Sequence, residues 1–513
     1  MKWLSPSIAC ALLAACAGPA PPAPRFAPVL VPSAWSERGA ITTAATATTA
    51  TTIKAPSAGA GAVTAWPQLF DDPILGALLT RAAAANLDVA LAGARVREAR
   101  AQAALVAAAG QVALDVTGSY ARERDSLNAP RPVLVTRAGE VDSSSRFDSL
   151  YQAGFDASWE IDVFGARRHA SDAARADVDA AVQEGGAMLA TVGAEVARNY
   201  VALRAAQQQL VLARADLDRQ NDMLALARSR RSAGYATGTE VANAALQGAR
   251  MAAQVPLHAL EAQRALHRIG VLLGQLPGAK VDQQRDELQE QLRQPGPIPW
   301  PHAGLASAAI AVPSELLRRR PDVKRAEQQL AAATARREAA VAELFPRFSL
   351  VGSAGLASVS ASELLSGASL FARIGPTVTW PIFRRGQIGA TIDVRGAQQE
   401  QAFVAYRLTI VNAFEEVENA LAAIESAQQR QGALAVLVRE SELALALATT
   451  RYRGGMTHFL SVLDARHGLA QARRELAGSD AELAIAAIAL FKSAGGGWGA
   501  GAVLSTAPTP AGG

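Results

Sequence analysis

The chain has 513 residues, 50% of them hydrophobic, yet aromatic residues make up only 5%. Alanine dominates that apolar content, which favours closely packed helices over a bulky globular core. The formal charge of +4 is small for this length, and basic residues are interleaved with acidic ones, so the sequence lacks the electrostatic footprint of a nucleic-acid partner.

Both cysteines, Cys10 and Cys16, lie at the N-terminus, where Lys2, an apolar run and small residues before Cys16 read as a secretory signal over residues 1–15. The run Leu13-Ala14-Ala15-Cys16 resembles a lipobox, in which cleavage leaves Cys16 to carry a diacylglyceryl group. An ordinary signal peptide cut at an A-x-A-like site is the other reading of the same residues. Ala17 follows where an Asp would signal retention at the inner membrane, which in lipoproteins of this kind fits sorting to the outer one. Residues 16–65 are rich in Pro, Ala and Thr, have little to bury, and read as a disordered, lipid-anchored tether. No later stretch has the run of about 18 apolar residues that a membrane helix needs, so a spanning role falls to strands.

The body of the chain is an internal repeat. Trp159 matches Trp380, Gly165 matches Gly386, Glu195-Val196 matches Glu416-Val417, Arg230 matches Arg451, Gly234 matches Gly455 and Val241 matches Val462. The offset is constant, since 380 − 159, 386 − 165 and 455 − 234 all equal 221. The first copy occupies 66–274, an equatorial linker rich in Gly, Pro and Gln follows at 275–313, the second copy takes 314–494, and 495–513 is a tail.

Each copy changes period twice. Residues 71–109, with Leu75, Leu78, Leu79, Leu87, Leu91 and Val96, carry helical periodicity, and 321–345 is the counterpart. The period then drops to two. In the hairpin 114–163, Tyr151, Phe155, Trp159 and Ile161 alternate with Gln152, Asp156, Ser158 and Glu160; in 348–383, Ile374, Val378 and Trp380 alternate with Arg373, Thr377 and Thr379. Such strands suit a transmembrane barrel with lipid outside and water inside, while a soluble sheet with one buried face gives the same alternation. Four strands cannot close a channel, so the barrel reading requires several chains. After each hairpin comes a helical hairpin, 166–274 and 387–494, whose first arm at about 1.5 Å per residue is on the order of 100 Å long. The arms meet at turns marked by Gly234 in one copy and by Gly454 and Gly455 in the other. The expected fold is mainly α with a β-barrel portion.

The stretch Val312-Pro313-Ser314-Glu315-Leu316-Leu317-Arg318-Arg319-Arg320-Pro321-Asp322-Val323, followed by Arg325-Ala326-Glu327, resembles the signature of the TolC/OprM-like outer membrane factor family, in its NodT-type lipoprotein branch. Phe70 to Leu75, Leu344-Phe345-Pro346, Trp380-Pro381-Ile382-Phe383 and Leu490 to Trp498 are similar to further family blocks. The resemblance implies a homotrimer whose twelve strands close one barrel in outer-membrane lipid and whose helices form a periplasmic tunnel shut at its tip. It also implies a periplasmic adaptor and an inner-membrane efflux pump, often proton-driven, that supplies the energy. The family's proline before the first strand is absent here, where Gln111-Val112-Ala113 stands.

At the tip, Phe459-Leu460-Ser461-Val462-Leu463-Asp464 has Ser461 where some relatives carry an acid, leaving Asp464. Three copies of Asp464 about an axis would form a negative ring that favours cations; a solvated carboxylate with no gating role is the other reading. Leu460 lies beside it, and Arg451 and Tyr452 on one hairpin with Glu240 and Asn243 on the other match places where relatives latch the tip. No metal-ligand spacing, phosphate loop or catalytic constellation is found, so neither an enzyme nor a cofactor beyond the lipid on Cys16 is expected. A periplasmic coiled-coil scaffold would explain the helices but not four register-matched strands.

Overall fold

A computed structural model of the chain describes residues 70–124, 147–276, 287–300 and 318–495. The signal, Cys16, the tether, the Val312 to Leu317 part of the signature and most of the tail lie outside these residues. The chain divides into two compact units, one built from 99–178 and 329–403, the other from the remaining described residues.

The first unit holds a four-stranded antiparallel sheet, β1 (Ala113–Arg124), β2 (Phe147–Ile161), β3 (Arg347–Ser358) and β4 (Leu370–Thr379), in sequence order. The register sets like with like on each face. Leu114 lies across from Ala157, Gly352 and Ile374 in turn, and Asp115 across from Asp156, Ser353 and Arg373. The apolar row is bare: Val116 and Ile374 are each 77% exposed, and Phe155 is 54% exposed. A soluble sheet would bury that face under its own chain; here nothing among the described residues covers it, which favours the lipid-facing wall of the two sequence readings.

At one end the sheet is fixed to helices. Phe164, just past β2, stacks on Phe345 with ring centroids 4.7 Å apart, Trp380 Nε1 donates to the Leu344 carbonyl at 3.2 Å, and Arg167 Nη2 pairs with Glu160 at 2.7 Å. Gly154 and Gly355 meet across β2 and β3, where a Cβ on Gly355 would come within 2.4 Å of the Ala153 carbonyl oxygen. Only glycine lets those two strands approach so closely.

The helices follow the expected plan with one break. The predicted 71–109 stretch is two helices, α1 (Pro73–Ala85) and α2 (Leu87–Ala108). Asn86 divides them: its carboxamide oxygen accepts from the amides of Asp88 and Val89, and its Nδ2 donates to the Leu272 carbonyl. A buried Asn that caps the next helix offers the backbone a better arrangement than continuing the first. Then come α3 (Ala166–Ser232), α4 (Gly238–Leu272), α5 (Glu287–Arg293), α6 (Pro321–Ala342), α7 (Arg385–Arg453) and α8 (Phe459–Ser493). The short α5 is regular structure inside the linker that the sequence marked as irregular.

In the second unit the core is small-residue helix packing: Leu75, Leu78, Val196, Tyr200, Ile269 and Ile488 cluster among alanines. Tyr200 donates its hydroxyl hydrogen to Asp72 Oδ2 at 2.7 Å, and burial, with the Asp72 hydrogen bond adding and the Arg204 contact opposing, pushes its phenol up to about 12. The family-like Arg320-Pro321-Asp322 stretch forms a clamp. Arg320, 6% exposed, grips Asp322 with a two-pronged contact at 3.0 and 2.7 Å, Glu416 of α7 at 2.7 Å, and the Ser493 carbonyl at the end of α8 at 2.9 Å. Burial alone would raise the Asp322 carboxyl, but the Arg320 hydrogen bonds and charge outweigh it and hold the carboxyl below its usual range.

Candidate channel wall and periplasmic tip

The polar face of the sheet is a continuous row of groups suited to water. Asp115, Asp156, Ser353 and Arg373 share one register line and line a shallow recess of ≈ 480 Å³ with Ser158 and Thr377. Thr117 Oγ1 donates to Asp156 Oδ2 at 2.8 Å, which orients that carboxylate along the wall. Among the described residues the two outer strands, β1 and β4, each pair on one side only, so both edges of the sheet present backbone groups that none of those residues pairs. An acid-rich wall with open edges on both sides is an arc of a barrel, not a barrel.

The turns joining α3 to α4 and α7 to α8 are built alike. Gly234 and Gly455 lie at φ +82° and +72°. In each, two amides return to the preceding helix: Gly234 N to the Arg231 carbonyl at 3.0 Å and Tyr235 N to the Arg230 carbonyl at 2.8 Å in the first, Gly455 N to the Tyr452 carbonyl at 3.0 Å and Met456 N to the Arg451 carbonyl at 2.9 Å in the second. This closure needs a left-handed residue, which Gly supplies without Cβ strain. Gly454, grouped with Gly455 from the sequence, is different: its amide still donates to the Thr450 carbonyl at 3.0 Å as helical residues do, and its φ is not positive.

Beneath the turns Ala227, Ala244, Phe459 and Leu463 form a small apolar cluster, with Tyr452 packed against it. The Tyr452 ring lies 5.5 Å from that of Phe459, and the Arg230 guanidinium sits 5.1 Å from its centroid. Arg230 is thus the partner of Tyr452 within the chain, a contact the sequence reading did not identify although it had matched Arg230 to Arg451. Among the described residues no side-chain hydrogen bond joins Tyr452 or Arg451 to Glu240 or Asn243. Leu460, 49% exposed, shares an outward helical face with Ser461 and Asp464, which are also exposed.

The repeat offset reveals a relation among these residues. Since 461 − 240 and 464 − 243 both equal 221, Glu240 stands where the second copy has Ser461, and Asn243 stands where it has Asp464. Each copy therefore carries one acid at the tip, one helical turn apart. The acid missing at Ser461 is supplied by the first copy. This was open to sequence reading, because both signals were already in register.

The family model for outer membrane efflux proteins matches residues 78–275 and 312–496, two segments that coincide with the two copies. The chain is 31% identical over 502 residues to the pyoverdine export outer membrane protein OpmQ of Pseudomonas aeruginosa, covering 97% of each chain. It is 34% identical over 361 residues to the outer membrane protein OprJ of Pseudomonas aeruginosa, covering 70% of this chain and 73% of that one. A solved structure of the outer-membrane channel OprN superposes with a TM-score of 0.75 at 32% identity, covering 85% of this chain and 93% of that one. This is the fold of trimeric outer-membrane channels, to which each chain gives four strands and a pair of long helical hairpins, the helices extending into the periplasm. The chain belongs to the outer membrane efflux protein family and is the outer-membrane channel component of an efflux system.

Proposed function

We propose that the protein is a passive duct, without enzymatic activity, whose periplasmic tip is gated by the paired acids of its two copies. The observation that carries this reading is the offset of 221, which sets Glu240 opposite Ser461 and Asn243 opposite Asp464, so that α4 and α8 each carry one acid near their start, one helical turn apart. About a threefold axis they would give two acidic levels, narrow enough to repel one another and to favour cations. Leu460 would pack at the same constriction. Tyr452 and Arg451 of one chain with Glu240 and Asn243 of the next would supply the latch, since no such bond forms among the described residues of a single chain.

A periplasmic adaptor would draw these turns apart, and an inner-membrane pump, which we take to be proton-driven, would supply the energy. Cys16 would carry the lipid that tethers the N-terminus to the outer membrane, with outer-membrane lipid as its partner, and no other cofactor is needed. The relative named for pyoverdine export makes small-molecule export the cargo class to test first. The gate is tested by conductance in planar bilayers, comparing the native channel with Asp464→Ala, Glu240→Gln and the double variant. Cation preference should fall in each single variant and fall further in the double. Unchanged selectivity in the double variant removes both acids from the mechanism.

A further inference from the structure

The two copies pass from strand to helix at matched positions, Trp159 with Trp380 and Gly165 with Gly386, but the turns between them differ in kind. In the first copy Asp162 Oδ2 accepts from the Arg168 amide at 2.8 Å and Gly165 lies at φ +81°, so the turn is closed by a polar cap. In the second copy Phe383 occupies the place of Asp162, since 383 − 162 equals 221, and it is 101% exposed. Ile382 beside it is 54% exposed, and the two residues that follow, Arg384 and Arg385, are both exposed as well. A wholly bare phenylalanine is costly in water.

The surroundings say what does cover it. The turn lies just past β4, beyond the outward line Ile161, Phe348 and Val378, so it continues the lipid-facing side of the sheet. It sits at the strand ends that lead into the helices, which is the periplasmic side of the membrane. Arg385 stays within 5.9 Å of the Trp380 ring, an interfacial pairing that keeps a guanidinium at headgroup depth. Arg347 is exposed at the same end of β3, held only by a loose contact to Glu343 at 3.8 Å.

We propose that the Ile382-Phe383-Arg384-Arg385 turn is an anchor for anionic phospholipid of the periplasmic leaflet. Phe383 enters the boundary of the acyl chains while Arg384 and Arg385 hold the headgroup phosphate, and net negative headgroups are preferred over zwitterionic ones. In the first copy Asp162 stands at the place of Phe383 and caps the turn, and Phe164 is stacked on Phe345, so the bare phenylalanine followed directly by two arginines is particular to the second copy, where the anchor lies. The inference rests on the sheet being part of a membrane barrel.

The test is native mass spectrometry of the full-length protein released from detergent after incubation with equal amounts of phosphatidylglycerol and phosphatidylcholine. Each arginine near an anionic surface contributes about fivefold in partitioning, so the native protein should retain phosphatidylglycerol in clear excess, with the excess falling as salt rises. The variant carrying Arg384→Gln and Arg385→Gln should bring the ratio to about one, and Phe383→Ser should lower retention of both lipids. Equal retention by the native protein, a preference indifferent to salt, or a preference kept by the double variant overturns the proposal. A heat-modifiable trimer band, run on every sample, separates failure of this inference from failure of the barrel reading. If the double variant yields no trimer, the single variants and the salt series on the native protein decide.

Discussion

Replacing Arg320 by Met removes the centre of the clamp while keeping much of its apolar length. The two-pronged contact with Asp322 carries most of the effect, because hydrogen bonds to charged groups contribute about 1.5–3 kcal/mol each. Glu416 adds at most about 1 kcal/mol, since its side chain is 54% exposed and solvent screens it. Loss of the bond to the Ser493 carbonyl frees the end of α8, and Asp322 is left part-buried without its partner. Together these give a cost of about 3–4 kcal/mol, in line with removing one member of a buried pair. Arg320→Lys should cost about 2 kcal/mol, because an ammonium cannot fork across both Asp322 oxygens. Hydrogen exchange read by mass spectrometry is the assay, since a multidomain membrane protein has no single unfolding free energy. Lost protection should concentrate at the start of α6 and the end of α8. A loss below about 1 kcal/mol, or one spread evenly along α3 and α7, refutes the clamp. The pH dependence has a definite sign: Asp322 is held below the usual carboxylate range, so its contribution is present above that range and is lost as pH falls through its folded value.

Gly355→Ala should abolish the heat-resistant trimer, because the new Cβ meets the Ala153 carbonyl oxygen at 2.4 Å and forces β2 from β3, whereas Gly118→Ala, with nothing within 4 Å, should keep it. At the tip, Gly455→Ala puts a side chain at φ +72° and should cost about 1–2 kcal/mol. Trypsin cleavage after Arg453 should therefore quicken about fivefold or more, while Gly454→Ala should leave the rate nearly unchanged. Tyr200 should ionise only near pH 12, so its neutral form lends stability that is intact below its ordinary value of 10.0 and disappears as pH rises from there to about 12. Absorbance at the tyrosinate band should show one fewer high-pH transition in Tyr200→Phe; an unchanged titration contradicts the buried contact with Asp72.

Long-range order was legible because repetition and period survive in one dimension. The offset linking Trp159 to Trp380 located both strand-to-helix turns, and alternation about Phe155 and Ile374 identified the strands to within a few residues of Phe147–Ile161 and Leu370–Thr379. What sequence left open depended on partners distant along the chain. Asn86 breaks a helix because Leu272, 186 residues away, receives its carboxamide. Periodicity cannot report a cap of that kind. The α5 helix lies among Gln and Glu residues with little apolar pattern, and it is held to α3 by buried polar contacts, Arg204 Nη1 to the Gln294 carbonyl at 2.6 Å and Gln207 Nε2 to the Leu292 carbonyl at 2.6 Å. At the tip, composition marked Gly454 and Gly455 equally, and only backbone dihedrals tell the helical residue from the left-handed one. The exchange of acids between Glu240 and Asp464 was readable from the offset, but only when the tip residues were compared copy against copy rather than one at a time.

The central claim is that the open edges of β1 and β4 find each other on neighbouring chains and close a barrel of three. Cysteine at Val116 on the outward face of β1, combined in turn with cysteine at Leu370, Ala372, Ile374, Pro376 or Val378 of β4, tests it by oxidative crosslinking in membranes. The account predicts that at least one pairing gives a covalent ladder ending at the trimer on denaturing gels, with inward positions such as Arg373 and Thr377 failing to crosslink. A ladder that stops at the dimer, or monomers at every pairing while the protein still conducts, contradicts it.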